Sequence, residues 1–344
     1  MLAEELDFMI GVDTHADSHT LGVVAAASGG LLAEQAIATT VRGYQEALRL
    51  AQAQAPGRRA WALEGSGSYG AGLARFLADH GERVLEVERP SRQQRRRGKS
   101  DSLDALAAAR CALGQKRWAQ PRAGGQRAAL AALVSTREGA MQARRAALCQ
   151  LRALLLALPP ERRERLAGLT RTRLLERLAA LRPRAGGEPD GVELALRSLA
   201  RRVRALDHEQ CTLQRQIELL VAERAPWLLA EPGIGPIAAA QLVIAWSHRG
   251  RLWSEAAFAR LAGAAPIPAS SGKTIRHRLD RSGDRQLNRA LHTIVVSRRK
   301  HHPPTIAYIA RRSADGKSQR EAIRCLKRFL ARSLYRKLEA MPAT

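Results

Sequence analysis

The sequence predicts three parts: an α/β domain in residues 1–120, a helical coiled-coil region in residues 121–228 and a mostly helical C-terminal domain in residues 229–344. Two observations carry this division. Apolar runs of strand length alternate with helical patterns only near the N-terminus, and a sustained heptad pattern follows in the middle. At 344 residues the chain is long enough to bury more than one core.

The N-terminal part opens with three strand patterns before its first helix. The stretches "LDFMIGVDTH" and "TLGVVAAAS" predict antiparallel neighbours, and "LLAEQAIATT" follows as a third strand after a glycine pair. Two more strands, "RRAWALEG" and "ERVLEVE", alternate with helices, and "SLDALAAARCAL" predicts the last helix. The order β-β-β-α-β-α-β-α is that of the ribonuclease-H-like fold, whereas a Rossmann sheet requires βαβ from its start.

The middle region carries a heptad seam with one polar position. Its members are Leu196, Leu199, Val203, Leu206, Gln210, Leu213, Ile217 and Leu220. A second set, seven residues apart, predicts a partner helix: Val134, Met141, Leu148 and Leu155. The Pro/Gly-rich stretch "LRPRAGGEPDG" separates the two helices. The seam can close within one chain or between chains, and we expect a homo-oligomer because a long heptad needs a long partner.

The C-terminal part begins with "EPGIGPIAAAQLVIAW", in which a tight hairpin precedes a helix. Backbone amides near Gly233 and Gly235, at a helix N-terminus, are placed to receive a phosphate. This element resembles a helix-hairpin-helix motif that contacts the DNA backbone. An ordinary turn between two helices is the alternative.

Charge points to a polyanionic partner. The chain has 57 Lys and Arg against 32 Asp and Glu, a net charge of +25, and only 4% aromatic residues. Nucleic acid bound through arginine, rather than through stacked bases, is therefore the expected partner. A basic block between the last strand and the last helix of the first domain supplies candidate contacts: Arg92, Arg95, Arg96, Arg97 and Lys99.

The remaining composition excludes several classes. No apolar run is long enough for a membrane span, and acids stand where a signal peptide carries positive charge, so we expect a cytoplasmic, nucleoid-associated protein without a membrane partner. The four cysteines form no CxxC pair, which argues against a zinc site and a disulfide framework.

Four acids of the first domain are the candidate metal ligands: Asp13, Glu64, Asp101 and Asp104. Asp13 lies in the first strand, Glu64 ends the fourth, and the other two share a face at the start of a helix. In a ribonuclease-H-like sheet the first and fourth strands are adjacent and the last helix covers them, so the carboxylates converge. Cations must then offset their repulsion, and we expect two Mg²⁺ ions that act on a phosphodiester. His15, Asp17 and His19 are interpreted as turn or loop residues.

The stretches "IGVDTHADSHTLGVV", "ALEGSGSYG", "KSDSLDALAAA", "EPGIGPIAAAQLVIAW" and "FARLAGAAPIPASSGKTIRHRLDRSGDRQLNRAL" occur in a specific order. Jointly they resemble the DEDD insertion-sequence transposases, the "IS-one-ten" family. The resemblance implies a RuvC-like N-terminal domain whose four acids are the metal ligands. It further implies a C-terminal serine that attacks DNA to form a phosphoserine link, assembly as a dimer or tetramer, and an element-encoded RNA that guides donor and target DNA.

The same resemblance selects Ser271 as the nucleophile, since the family serine follows the "GAAP" segment and precedes a basic stretch. Ser270 and Ser282 are the alternatives. Basic residues beside Ser271 are expected to neutralise the charge that develops on a phosphate: Lys273, Arg276 and Arg278.

Three rival functions compete with the transposase. A metal-dependent junction nuclease would use the same acids and water, but would not need the second half of the chain. A non-catalytic nucleic-acid-binding protein would explain the charge but not an acid inside an apolar strand. A sugar-kinase-like or actin-like ATPase would need a glycine in the first hairpin, and "DTHADSH" has none.

Overall fold

The structure is a computed structural model that describes residues 1–87, 101–182, 188–270, 277–280 and 282–341. The chain divides into two compact units, each built from more than one segment. The first unit holds residues 1–124, 246–288 and 320–344, and the second holds residues 125–245 and 289–319. The predicted division into three consecutive domains stays a prediction.

A five-stranded sheet forms the centre of the first unit. Its strands are β1 (Phe8–Thr14), β2 (Ser18–Ala25), β3 (Leu31–Ala38), β4 (Arg59–Glu64) and β5 (Val84–Val87). Their order across the sheet is β3-β2-β1-β4-β5. The first three strands are antiparallel neighbours, while β4 pairs in parallel with both β1 and β5. The predicted adjacency of the first and fourth strands is confirmed.

Helices cover both faces of this sheet. They are α1 (Leu2–Glu5), α2 (Val41–Gln54), α3 (Ala71–Asp79) and α4 (Asp101–Leu113). On one face, Val12, Trp61 and Leu63 pack with residues of α2 and α3. On the other face, Met9 and Ala62 pack with the small side chains of α4. Side chains alternate between the two faces along a strand, so Asp13 on β1 and Glu64 on β4 lie on the same face as Met9 and Ala62, which α4 covers.

The second unit contains a long helical hairpin. Its helices are α5 (Gly125–Leu156), α6 (Pro160–Glu164), α7 (Arg171–Ala179), α8 (Glu188–Arg224), α9 (Pro226–Ala230), α10 (Pro236–Trp246), α12 (Arg285–His301) and α13 (Pro303–Ala314), of which α10 and α12 each extend into the first unit. The predicted linker ends earlier than expected, because α8 already begins at Glu188. A proline is tolerated in the first turn of a helix, since the backbone N–H that it lacks would have no intrahelical partner there.

The heptad seam closes within the chain. Helices α5 and α8 run antiparallel, with Gln126 donating to Glu223 (2.7 Å) and Arg137 donating to Gln214 (3.0 Å). The seam leucines Leu196 and Leu199 pack against Leu151 of α5 in one buried cluster. The long partner that the seam requires is therefore α5, so the expected homo-oligomer is not needed to explain the pattern and stays a prediction.

The first unit is completed by C-terminal elements: α11 (Glu255–Leu261), β6 (Ile267–Pro268), β7 (His277–Arg278) and α14 (Gln319–Glu339). The two short strands pair in antiparallel fashion. Tyr335 of α14 donates its hydroxyl to the carbonyl oxygen of Leu252 at 2.5 Å, and Trp246 donates to Glu339 at 2.6 Å.

Along the described parts of the chain, every helix is too short or too polar to cross a membrane.

Candidate catalytic and metal site

Asp13 lies at the end of β1, on the sheet face that α4 covers. Gly11, two residues earlier on the same face, is in direct contact with the helix, since a Cβ there would lie 1.9 Å from the carbonyl oxygen of Ala105. Glycine at this position lets the backbone of α4 approach the strand. The side chain of Asp13 is only 11% exposed. An acid so deeply placed at a strand end requires a polar or cationic partner.

Glu64 ends the neighbouring strand. The register pairs Val12 with Leu63 in parallel, and one further step along both strands sets Asp13 beside Glu64. Neighbouring strands lie about 4.8 Å apart. The Thr14 hydroxyl donates to the Glu64 carbonyl oxygen at 2.8 Å, which ties the two strand ends together. The two acids therefore end adjacent strands on the same face of the sheet.

Asp101 and Asp104 occupy the first turn of α4. Asp101 lies one helical turn before Ala105, the residue over Gly11, so the helix carries it back toward the end of β1. It is exposed, whereas Asp104 is half-buried. Acidic side chains in a first helical turn are also favoured by the partial positive charge of the helix N-terminus.

His15 joins two of these acids. Its Nε2 lies 3.0 Å from Oδ2 of Asp13 and 3.4 Å from Oδ1 of Asp101. One potential ligand atom from each of Asp13, His15 and Asp101 lies within 4.8 Å of the other two. Glu64 and Asp104 are not members of this group of three. The donor set of one imidazole and two carboxylates fits a divalent cation.

The interpretation of His15 as a turn residue was incomplete. It does lie in the β1–β2 turn, where its backbone N–H donates to the Ser18 carbonyl oxygen at 3.1 Å. The available signal was its position two residues after Asp13, because residues two apart in extended backbone share a face. Sequence reasoning discounted that signal because histidine is common in turns.

An ion pair with a buried arginine lies at β5, the strand next to β4 in the same sheet. Glu86 of β5 accepts a hydrogen bond from Arg251 at 2.8 Å, and the arginine side chain is only 3% exposed. Burial holds the pKa of the Arg251 guanidinium below its ordinary value, and the charge of Glu86 opposes that shift. The pair links the sheet to the segment that follows α10, within the first unit. Sequence reasoning did not identify it, because neither residue belongs to a local pattern.

Three residues predicted for the nucleophile segment lie outside the described part of the chain: Ser271, Lys273 and Arg276. The flanking β6 and β7 are described, and Arg278 in β7 is exposed. The basic block from Arg92 to Lys99, with Arg95, Arg96 and Arg97, also lies outside the description.

Ser282, an alternative to Ser271, is part of a closed turn. Its hydroxyl donates to Oδ1 of Asp280 at 2.5 Å, and its backbone N–H donates to the same oxygen at 2.8 Å. Asp280 is buried. Both residues line a cavity of about 260 Å³ together with Leu279, Arg285 and Asn288. The hydroxyl of Ser282 is thus engaged by a side chain two residues away.

The glycine hairpin before α10 is held by α12. Gly233 has a positive φ of 75°, which favours glycine. Arg298 donates to the carbonyl oxygen of Pro232 at 2.7 Å and pairs with Glu231 at 3.2 Å. A Cβ at Gly235 would meet no described atom within 4 Å. The hairpin is therefore fixed on one side and open at Gly235.

Two family models match the chain. One, for DEDD transposases of IS110 and described as "Transposase", matches residues 10–160. The other, described as "Transposase IS116/IS110/IS902 family", matches residues 226–310. The first range contains all four candidate acids, and the second contains the glycine hairpin and the serine segment.

A curated relative matches part of the chain. The "Insertion element IS110 uncharacterized 43.6 kDa protein" of Streptomyces coelicolor is 30% identical over 135 residues, which cover 38% of this chain and 33% of the relative. The matched segment thus spans a third of that relative's length.

Proposed function

Because the chain belongs to the IS116/IS110/IS902 family of transposases, we propose that it cuts and rejoins DNA as the transposase of an insertion sequence. Its N-terminal α/β part is assigned to the ribonuclease-H-like, RuvC-like class, since β1 and β4 are adjacent and α4 covers the face on which both candidate acids end. Catalysis is assigned to the four acids together with one serine.

One observation carries this proposal. Asp13, almost enclosed at the end of β1, meets the ring of His15, and the same ring reaches Asp101 at the start of α4. Acids 88 positions apart in the chain do not come together through local structure. Converging carboxylates repel each other, and a site that retains them implies a cation.

Asp13, Glu64, Asp101 and Asp104 would hold divalent cations, with Mg²⁺ the expected metal and two ions per site. Metal bound there would lower the pKa of an attacking hydroxyl and stabilise the charge on the leaving oxygen of a phosphodiester. The protein's own part is positional. Asp13 and Glu64 extend from paired strands, and the close contact of Gly11 with Ala105 sets how near α4, and with it Asp101, lies to the end of β1.

Ser271 is the proposed nucleophile. Its hydroxyl would attack phosphorus, the bond to the leaving DNA oxygen would break, and a phosphoserine ester would join protein to DNA. Two observations support this choice: the segment falls inside the second family match, and the hydroxyl of the rival Ser282 is engaged by Asp280. Lys273, Arg276 and Arg278 would neutralise the phosphate charge.

DNA is the proposed partner, both as donor and as target, and a net charge of +25 supports it. Arg92, Arg95, Arg96, Arg97 and Lys99 are proposed to contact the backbone beside the acids, and the hairpin at Gly233 and Gly235 to receive a phosphate. Replacing Arg95, Arg96 and Arg97 together should lower the log–log salt slope of binding by about 0.9 for each lost duplex contact. A guide RNA and an oligomeric assembly complete the proposal, on the resemblance alone.

The test is a trapping experiment with the full chain, Mg²⁺ and labelled element-end DNA, with and without the element's transcribed flank. A covalent adduct that maps to Ser271 supports the transposase. Free nicks without an adduct favour a junction nuclease that uses water, and binding without cleavage favours a non-catalytic protein. An adduct on Ser270 or Ser282 would overturn the assignment of the nucleophile alone.

A further inference from the structure

We propose that His15 is a nitrogen ligand of the metal site, and that it makes the ion position between Asp13 and Asp101 prefer a first-row transition ion to Mg²⁺. The inference rests on the proposed metal site but goes beyond it, because four carboxylates alone would favour a hard cation such as Mg²⁺.

The spacing of the donor atoms is the first observation. Ligands at about 2.1 Å from a metal and at right angles to each other lie about 3.0 Å apart. Nε2 of His15 lies 3.0 Å from Oδ2 of Asp13 and 3.4 Å from Oδ1 of Asp101. The imidazole nitrogen thus already stands at the separation of neighbouring ligands from both carboxylates.

The fixed backbone of the turn is the second observation. The N–H of His15 donates to Ser18 at 3.1 Å. On the far side of the turn, Thr39 donates its hydroxyl to the carbonyl oxygen of Ala16 at 2.9 Å and its N–H to that of Asp17 at 3.1 Å. The turn is therefore tied to its own hairpin and to the end of β3. A ligand held in this way loses little conformational entropy when it binds an ion.

The exposure of the ring is the third observation. The His15 side chain is 50% exposed, while that of Asp13 is 11% exposed. An ion that arrives from solvent would therefore meet the imidazole and Asp101 before it reaches Asp13.

Metal preference follows from the chemistry of the donors. Imidazole nitrogen binds Co²⁺, Ni²⁺ and Zn²⁺ well, whereas Mg²⁺ prefers oxygen ligands and retains water. Removal of His15 should therefore weaken binding of a transition ion and leave Mg²⁺ binding nearly unchanged. If His15 only donates a hydrogen bond to the acids, its removal frees the carboxylates, and binding of both ions stays the same or tightens.

The experiment measures binding of Co²⁺ alone and of Mg²⁺ alone to the full metal-free chain, without DNA, by calorimetry and, for Co²⁺, by its visible absorption. The variants are His15→Ala, His15→Gln and Asp13→Asn. His208→Ala, an exposed histidine on α8 of the second unit, is the matched control. The site-specific signal is the Co²⁺ binding that Asp13→Asn removes.

We expect His15→Ala and His15→Gln to lower site-specific Co²⁺ affinity by at least about tenfold and to change Mg²⁺ affinity by less than about threefold. The absorption bands should shift with the loss of a nitrogen ligand, and His208→Ala should match the unsubstituted chain. Unchanged or tighter Co²⁺ binding, an equal loss for both ions, or full binding in His15→Gln would overturn the inference. A chain with no Asp13-dependent binding of either ion would instead contradict the metal site of the proposed function.

Discussion

Two charged clusters of the first unit, on neighbouring parts of one sheet, are built in opposite ways. At the end of β1, Asp13 and Asp101 share a single histidine, and one of the two acids is exposed. On β5, the half-buried Glu86 pairs with the buried Arg251. The first cluster brings like charges together at an open edge of the sheet, and the second pairs a half-buried acid with a buried arginine.

The difference separates the proposed metal site from a structural contact. Opposite charges that pair with each other offer no free charge to a ligand, and removing one of them leaves the other without its partner. Like charges at an open edge contribute little to folding and are most stable when a cation joins them. Substitutions in the first cluster should therefore affect chemistry, and substitutions in the second should affect stability.

Asp13→Asn should have the largest effect on activity. We expect DNA cleavage to fall by about three orders of magnitude or more, because Asp13 is the most deeply buried of the proposed metal ligands. The free energy of unfolding without metal should stay equal or rise, since carboxylate repulsion decreases. Gel assays of cleavage and urea unfolding measure the two quantities. Asp17→Asn, an exposed acid in the same turn, is the control and should retain activity. Full cleavage by Asp13→Asn would remove this residue from the site.

Arg251→Met should show the reverse pattern. Loss of the buried guanidinium leaves the half-buried Glu86 without this partner, and we expect the free energy of unfolding to fall by about 1–3 kcal/mol. Urea denaturation measures the change, and metal binding by the folded fraction should persist. Arg249→Met, at an exposed arginine two residues away, should change stability by less than about 0.5 kcal/mol. Equal stability of the two variants would show that the buried pair does not stabilise the unit.

Gly11→Ala should lower both stability and metal binding. The new methyl group would lie 1.9 Å from the Ala105 carbonyl oxygen, so α4 must move away from β1. We expect a loss of about 1–3 kcal/mol of stability together with weaker metal binding, because Asp101 moves with the helix. Thermal unfolding and calorimetry measure both. Gly139→Ala, in helix α5 with no described atom within 4 Å of the new Cβ, should be neutral or slightly stabilising. A Gly11→Ala variant with normal metal affinity would show that α4 does not position the site.

The smallest expected effect is the contribution of His19, on the sheet face opposite Asp13, to the pH dependence of stability. The interpretation of His19 as a turn or loop residue is wrong, since it lies in β2, is buried and stacks on Tyr44. Burial holds its pKa below the ordinary value of 6.5. The unfolded chain therefore binds a proton that the folded chain does not, and stability should fall as pH drops below about 6.5. Urea unfolding at a series of pH values should show a flatter slope for His19→Phe. An identical slope in this variant would assign the pH dependence to other groups.

Local patterns were enough to predict much of this protein. Strand alternation gave the five strands and the position of Asp13 at the end of β1, and helical period gave α2, α3 and α4 with their ends. The heptad positions Leu196, Val203 and Ile217 of α8 are buried, while the coiled coil itself stays a prediction. These features depend on residues within one or two turns of each other, and such relations are visible in a single sequence.

Tertiary structure alone decided which of these features meet. The partner of the α8 seam is α5 of the same chain, a choice that spacing left open because intrachain and interchain closure bury the same residues. His15 reaches two acids only because α4 returns over β1 at Gly11, and Glu86 finds Arg251 across 165 positions of chain. Contacts of this kind depend on strand register and on the path of the backbone, which are set by the packing of the whole unit and leave no periodic signal near either residue.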